Sequence, residues 1–292
     1  MSRAASAAPT DPTDDSGGQR AVQSVEVGGR LLLALAANPG PLPLKDLAAQ
    51  AGLPPSRAHP YLVSFGKLGL VAQDRDTGRY ALGPAALQLG LTCLHQLDPL
   101  RAAEPVAQEL ASSTGYAVAL ALWGNLGPTI VRMIEARQPL LVAMRTGTVM
   151  SVLHTATGRA FAGVLPQVRI EHALAGALGD APLAPRKLKA DERTIVDQAR
   201  TDLARHGVVR AEGRPIPSVN AFSAPAFDHE GQPAIVITAL GHQDHFPVGW
   251  ESEAARAVRE AARLISTRLG GSGARKAGGP LPAAFAAVRS GP

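Results

Sequence analysis

One cysteine, Cys93, is all that 292 residues contain. That excludes an internal disulfide and any metal site built on several thiolates. A chain so poor in thiols fits a reducing compartment, and a cytoplasmic location is expected. Aromatic residues are scarce at 4%, while hydrophobic residues reach 46%, ample for sizeable cores. Long apolar runs are lacking too. The longest uncharged stretches, 31–44 and 116–131, are interrupted by Gly and Pro, so no membrane span is expected. Residues 1–19 hold no apolar signal core; they are small, polar and Pro-containing, and expected to be disordered. Acidic residues are absent from 271–292, where Gly, Ala and Pro surround Arg275, Lys276 and Arg289. A disordered basic tail is expected there, with weak non-specific attraction for DNA. The whole chain is only mildly basic, 29 − 24 = +5.

What is present is most organised over residues 24–83. Val27, Leu31, Leu32, Leu35 and Ala36 recur at helical spacing, then Leu44, Leu47, Ala48 and Ala51, then Ala58, Leu62 and Phe65. Gly52 stands where the second and third helices must turn. Leu70 and Val71 open a strand, residues 74–78 turn it, and residues 79–82 return. This is the order of a winged helix-turn-helix, in which the helix after the turn stands in a DNA major groove. Seven Lys/Arg against four Asp/Glu over 19–83 leave this part at +3, which permits DNA contact without demonstrating it. A small helical bundle with a hairpin and no DNA remains open at this point.

The strings SVE, PLKDLAAQAGLPPSRAH and GRYALG resemble the DNA-binding half of the IclR family of bacterial transcription regulators. LHTATGRA and SAPAFD extend the resemblance to about residue 270. It implies an α+β chain. An N-terminal winged helix-turn-helix (20–83; three helices plus a β-hairpin) is joined by a linker helix (84–97) to a GAF-like antiparallel sheet flanked by helices (98–270). The linker's Leu87, Leu89, Leu91 and Leu94 would pack between subunits, making a dimer or a dimer of dimers; read from the residues alone, the same helix could instead be an intrachain core element. The partners implied are double-stranded operator DNA and a small effector, a carboxylate in many relatives. No cofactor, metal or catalytic residue is expected.

Patterning beyond residue 98 agrees with such a domain. Asp98 is a candidate N-cap for a helix over 100–114 that holds Pro105 and stops at Gly115. Strands are expected over 116–123, 129–136, 139–145, 207–212, 221–228 and 233–241. Helices are expected from Thr157 and over 167–178, 190–206 and 251–269. The last has Ala254, Ala255, Val258, Ala261, Ala262 and Ile265 on its inner face.

For DNA, Ser56 and Arg57 stand at the start of the recognition helix, where side chains reach base edges and a helix N-terminus favours phosphate. His59, Pro60 and Ser64 share the outward face, Lys67 is placed to meet backbone, and Arg75 and Arg79 lie on the wing. Pro60 departs from the family's polar or basic residue. Lacking an N–H, it implies a helix starting nearer Ala58 or a kink, and it keeps open a ligand-binding or protein-interaction module that does not engage DNA.

For the effector, the resemblance implies Ala156, Thr157 and Gly158 at a helix start, with His154 just ahead, and Val219, Asn220, Ala221, Thr238 and Leu240 on facing strands. Ala221 replaces a frequent Cys, Ala211 an acid, Leu240 a hydroxyl and Asn220 an Arg. The pocket thus keeps an anion-binding helix end and loses polar side chains, which suits a carboxylate with an apolar or aromatic body. Two sharper readings are weaker. His242, Asp244 and His245 have metal-type spacing without a fourth partner. Ser151, His154 and Asp228 lack the surroundings of a nucleophile.

Overall fold

The computed structural model describes residues 22–135, 144–178, 181–182 and 185–271. The tails expected at 1–19 and 271–292 lie outside them apart from Gly271, as does most of the strand expected over 139–145. The chain divides between Gln96 and Leu97 into two compact units.

The first unit runs α1 (Gln23–Ala36), α2 (Leu44–Gln50), α3 (Pro55–Lys67), β1 (Val71–Gln73), β2 (Tyr80–Leu82) and α4 (Pro84–Gln96). Its core joins Leu31 and Leu35 of α1, Leu47 and Ala48 of α2, and Ala58 and Leu62 of α3 with Val71 and Tyr80 of the hairpin. Ala36, expected in the α1 stripe, is exposed. Nine residues after Val27, it lies roughly half a turn round the helix from that stripe. Gly52 takes φ +66° between α2 and α3, and the Leu53 amide closes the turn onto the Ala48 carbonyl at 2.9 Å. At the hairpin tip, Asp74 accepts from the Asp76 and Thr77 amides at 3.0 and 2.7 Å. Leu42 adds a bridge to Tyr80 that spacing did not reveal. On α4, Leu87 and Leu89 are more than 60% exposed.

The second unit opens with α5 (Pro99–Thr114), β3 (Ala117–Gly124) and β4 (Gly127–Ile134), then α6 (Ala156–Ala162) and α7 (Gln167–Ala175). A two-residue pair follows, β5 (Ala177–Leu178) and β6 (Ala181–Pro182). It closes with α8 (Ala190–His206), β7 (Val209–Glu212), β8 (Val219–Phe227), β9 (Pro233–His242) and α9 (Glu253–Arg268). Asp98 caps α5 as expected, accepting from the Leu100 amide at 2.9 Å, and Gly115 ends it at φ +76°. Pro105 is carried inside the helix. The helix expected to reach Leu178 stops at Ala175, because Gly176 turns to φ 78°, ψ −162° and sends the chain into β5.

Among the described residues the main sheet is antiparallel, in the order β4-β3-β9-β8-β7. Side chains alternate between its faces. Val118, Leu120, Phe222, Ile235 and Ile237 meet α5 and α9 on one face. Ala119, Ala121, Val209, Val236 and Leu240 meet α6, α7 and α8 on the other. Both faces are therefore buried, which accounts for the near-continuous apolar strands. The Arg159 guanidinium donates to the Arg210 carbonyl and fastens α6 to the edge strand β7.

Glu192 in the first turn of α8 gives a pH prediction. Its carboxylate accepts from both terminal nitrogens of Arg186 at 2.6 and 2.7 Å and from the Lys189 amide at 2.9 Å. The Arg186 hydrogen bonds, then that amide, hold its pKa at about 2, below the ordinary 4.5. A depressed carboxylate stabilises fully above the unfolded pKa and loses that contribution as pH falls from about 4.5 toward 2. Glu192→Gln should therefore flatten the decline of the urea midpoint between about pH 5.5 and about pH 3. An unchanged slope would remove Glu192 as its source.

Candidate functional site

Two surfaces carry the residues singled out above. The first is the outer face of α3. The helix runs unbroken from Pro55 to Lys67 through Pro60, so the later start near Ala58 is overturned. Pro55 presets φ at the first helical position, and the Ala58 amide already bonds the Pro54 carbonyl at 3.1 Å. Because prolines have no N–H, the Ser56 amide is the first available at this end, and it has no partner among the described residues. Ser56, Arg57, His59, Pro60, Ser64 and Lys67 are all exposed. The Ser64 hydroxyl donates to the Pro60 carbonyl at 3.0 Å. On the wing, Arg75 and Arg79 are exposed, and Arg79 also reaches the Pro41 carbonyl at 3.4 Å.

The second is a pocket open to solvent, about 400 Å³ with its open mouth included, between the start of α6 and the β7, β8 and β9 strands. Thr155 is the N-cap of α6. Its hydroxyl accepts the Gly158 amide at 3.0 Å and donates to the Ser151 carbonyl at 2.7 Å. The helix therefore begins at Ala156, one residue before the expected start. The Ala156 and Thr157 amides have no partner among the described residues.

Beneath them lies a chain of hydroxyls. Thr157 Oγ1 is 2.9 Å from Thr238 Oγ1, which is 2.7 Å from Ser223 Oγ. Ser223 is fully buried and among the described residues has only Thr238 as partner, so donating to Thr238 is the arrangement that leaves no buried O–H unpaired. Thr238 then donates to Thr157, and the Thr157 proton is left for the cavity. The rest of the lining includes Ala119, Ala211, Val219, Ala221, Leu240, Met144 and Met150 and, among the described residues, one cationic residue, Arg214. No acidic side chain lines it among the described residues.

Two domain families match this chain. The IclR helix-turn-helix domain matches residues 24–75, and the bacterial transcriptional regulator IclR C-terminal domain matches 91–267. The chain belongs to the IclR family. It is thus a member of a family of DNA-binding transcriptional regulators. It is 28% identical over 264 residues to the glycerol operon regulatory protein of Streptomyces coelicolor, a match covering 86% of this chain and 98% of that one. It is 24% identical to the HTH-type transcriptional regulator KipR of Bacillus subtilis, over 78% of this chain and 90% of KipR. Among solved structures, Pseudomonas aeruginosa HmgR superposes with a TM-score of 0.75 at 33% identity, covering 87% of this chain and all of HmgR. The Agobacterium tumefaciens repressor BlcR shares the fold, with a TM-score of 0.70 at 20% identity.

Within this IclR-family chain, Ala156, Thr157, Val219, Ala221, Thr238 and Leu240 line the cavity, whereas three other expected ligand residues do not. His154 is exposed beside it. Gly158 has its amide taken by Thr155, and its Cα packs on the 151–152 backbone. Asn220 lies between Val219 and Ala221, so strand alternation turns it to the other face. There its Oδ1 accepts the Gly213 amide and its Nδ2 donates to the Phe246 carbonyl, both at 3.0 Å. Arg214 went unnoticed in the sequence. A cation in a Gly-Arg-Pro turn between two strands is the only local signal, and it does not say which way the side chain faces.

The weaker readings find little. His242 Nδ1 lies 3.3 Å from Asp244, and no group of three or more His, Cys, Asp or Glu is gathered among the described residues. Asp228 holds the β8–β9 turn through the Glu230 and Gln232 amides, and the Ser151 hydroxyl accepts the His154 amide. Cys93 is exposed. No described helix is long and apolar enough to cross a membrane.

Proposed function

We propose that this IclR-family regulator works in the cytoplasm as a homo-oligomer. It binds operator half-sites through α3 and the wing, and responds to a small carboxylic acid with an apolar body. The observation that carries the effector class is the character of the cavity's polar groups. The Ala156 and Thr157 amides and the Arg214 guanidinium are donors, the Thr157 hydroxyl can donate, and no acidic side chain lines the cavity among the described residues. A carboxylate supplies the acceptors they lack, and the Ala and Leu floor suits an apolar body. On the DNA side, Ser56 and Arg57 meet bases and phosphate at the α3 start. His59, Pro60 and Ser64 face the groove, and Lys67, Arg75 and Arg79 meet backbone. The exposed leucines of α4 support pairing between chains. Effector binding shifts the placement of the paired DNA-binding units by differential affinity and not by chemistry on the bound acid.

A mobility shift on the DNA upstream of its own gene tests this. Retardation should weaken steeply with salt. Arg57→Ala should reduce affinity by about 1–3 kcal/mol, roughly 5- to 150-fold. Retardation untouched by Arg57→Ala would remove that contact. No retardation even at low salt would leave a ligand-binding module without DNA.

A further inference from the structure

We infer that the effector is a diacid, with its second acidic group taken by Arg214. This rests on the cavity being the effector site and goes beyond it by naming a second anchor.

The sheet register sets the distance between the anchors. Thr238 pairs with Ala119 and Ser223, forming one row across the floor beside Thr157. Two residues further along β9, Leu240 pairs with Ala221, which pairs in turn with Ala211. Two residues further again, His242 pairs with Val219. Rows on one face are about 7 Å apart, so about 14 Å separates the hydroxyl row from the Val219 row. The β7–β8 loop closes that far end. Gly213 reverses the chain at φ +58°, Ser218 returns it at φ +60°, and Arg214, Pro215 and Ile216 between them line the cavity.

The cavity therefore has donors at one end, an alkyl middle of Ala211, Ala221 and Leu240, and the cationic residue Arg214 at the other. Arg214 forms no ion pair or hydrogen bond among the described residues. The nearby acid, Glu212, is already paired with Arg210 at 2.7 Å. The loop itself is held. The Gly213 amide bonds the Val219 carbonyl and Asn220 Oδ1, both at 3.0 Å, and the Gln243 amide bonds the Ser218 carbonyl at 2.8 Å. Asn220 is thus a positioning residue for the backbone that carries Arg214. A fixed loop carrying an uncommitted, fork-shaped cation across an apolar gap from a row of donors is matched by a ligand with a carboxylate at each end. A single acid leaves one end unsatisfied.

Calorimetric titration of the full chain with matched pairs tests this: hexanoate against adipate, octanoate against suberate, benzoate against terephthalate. The diacid of at least one pair should bind about tenfold tighter or more than its monoacid. Arg214→Gln, at an exposed position and checked for an unchanged melting temperature, should abolish that preference, bringing each diacid to within about twofold of its own monoacid on the same variant. If monoacids bind and diacids gain nothing, or if the gain survives Arg214→Gln, the second anchor is wrong and the acid effector stands. If no acid of either kind binds while amines or neutral analogues do, the effector reading falls and the diacid with it.

Discussion

Gly158→Ala should destabilise the second unit by about 3 kcal/mol, lowering its melting temperature by roughly 6–12 °C. In an ordinary helix the exchange stabilises by close to 1 kcal/mol. Here a Cβ would lie 2.1 Å from the Ser151 carbonyl oxygen and 2.5 Å from that of Val152, both backbone atoms with no rotamer to escape by. Either α6 lifts off the 151–152 segment or that segment moves, and each displaces Thr155–Thr157 from the cavity. Loss of acid binding should accompany the loss of stability. Gly249→Ala is the control, since a Cβ there meets nothing within 4 Å. Equal melting temperatures for the two variants would show that α6 is not seated as described.

Phe161→Ala should cost about 3–5 kcal/mol. Phe161 is fully buried on α6 and meets Trp123 edge-on, with ring centroids 5.4 Å apart. Removing the ring leaves a cavity under a helix of seven residues, too short to hold itself without tertiary packing. Chemical denaturation of the full chain, followed through Trp fluorescence, should show one transition moved to much lower urea. DNA retardation at low temperature should persist, because α3 has its own core in the first unit. A loss under about 1 kcal/mol would mean that α6 is held mainly by other contacts, such as the Arg159 bond to Arg210.

Those two residues illustrate what a sequence discloses. Phe161 reads as core from its neighbours LHTATGRAFAG, but nothing in that string says it packs against Trp123, 38 positions earlier. The helices were the most legible part. The expected and observed bounds of α8 coincide at 190–206, and the inner face expected for α9 is the buried one. The α7 end was misread because residues 174–178 stay apolar past Gly176, and only the backbone angles of that glycine break the helix. The wing residues and the outer face of α3 were legible because exposure follows from the phase of one short helix. The cavity was half legible. Its α6 side follows from a local N-cap, whereas its floor depends on which parity of β8 points inward, and the register with β7 and β9 decides that.

From its residues alone this chain determined most of its helices, its wing, the α5 cap at Asp98 and its membership of a family, because each rests on contacts between near neighbours and on the 3.6-residue period. Tertiary structure decided that Asn220 braces a loop and faces away from the cavity, that Thr238 is hydrogen-bonded to Thr157, and that Arg214 lines the cavity. Those outcomes depend on pairing between strands far apart in sequence. A shift of one residue in register would exchange every inward side chain for an outward one.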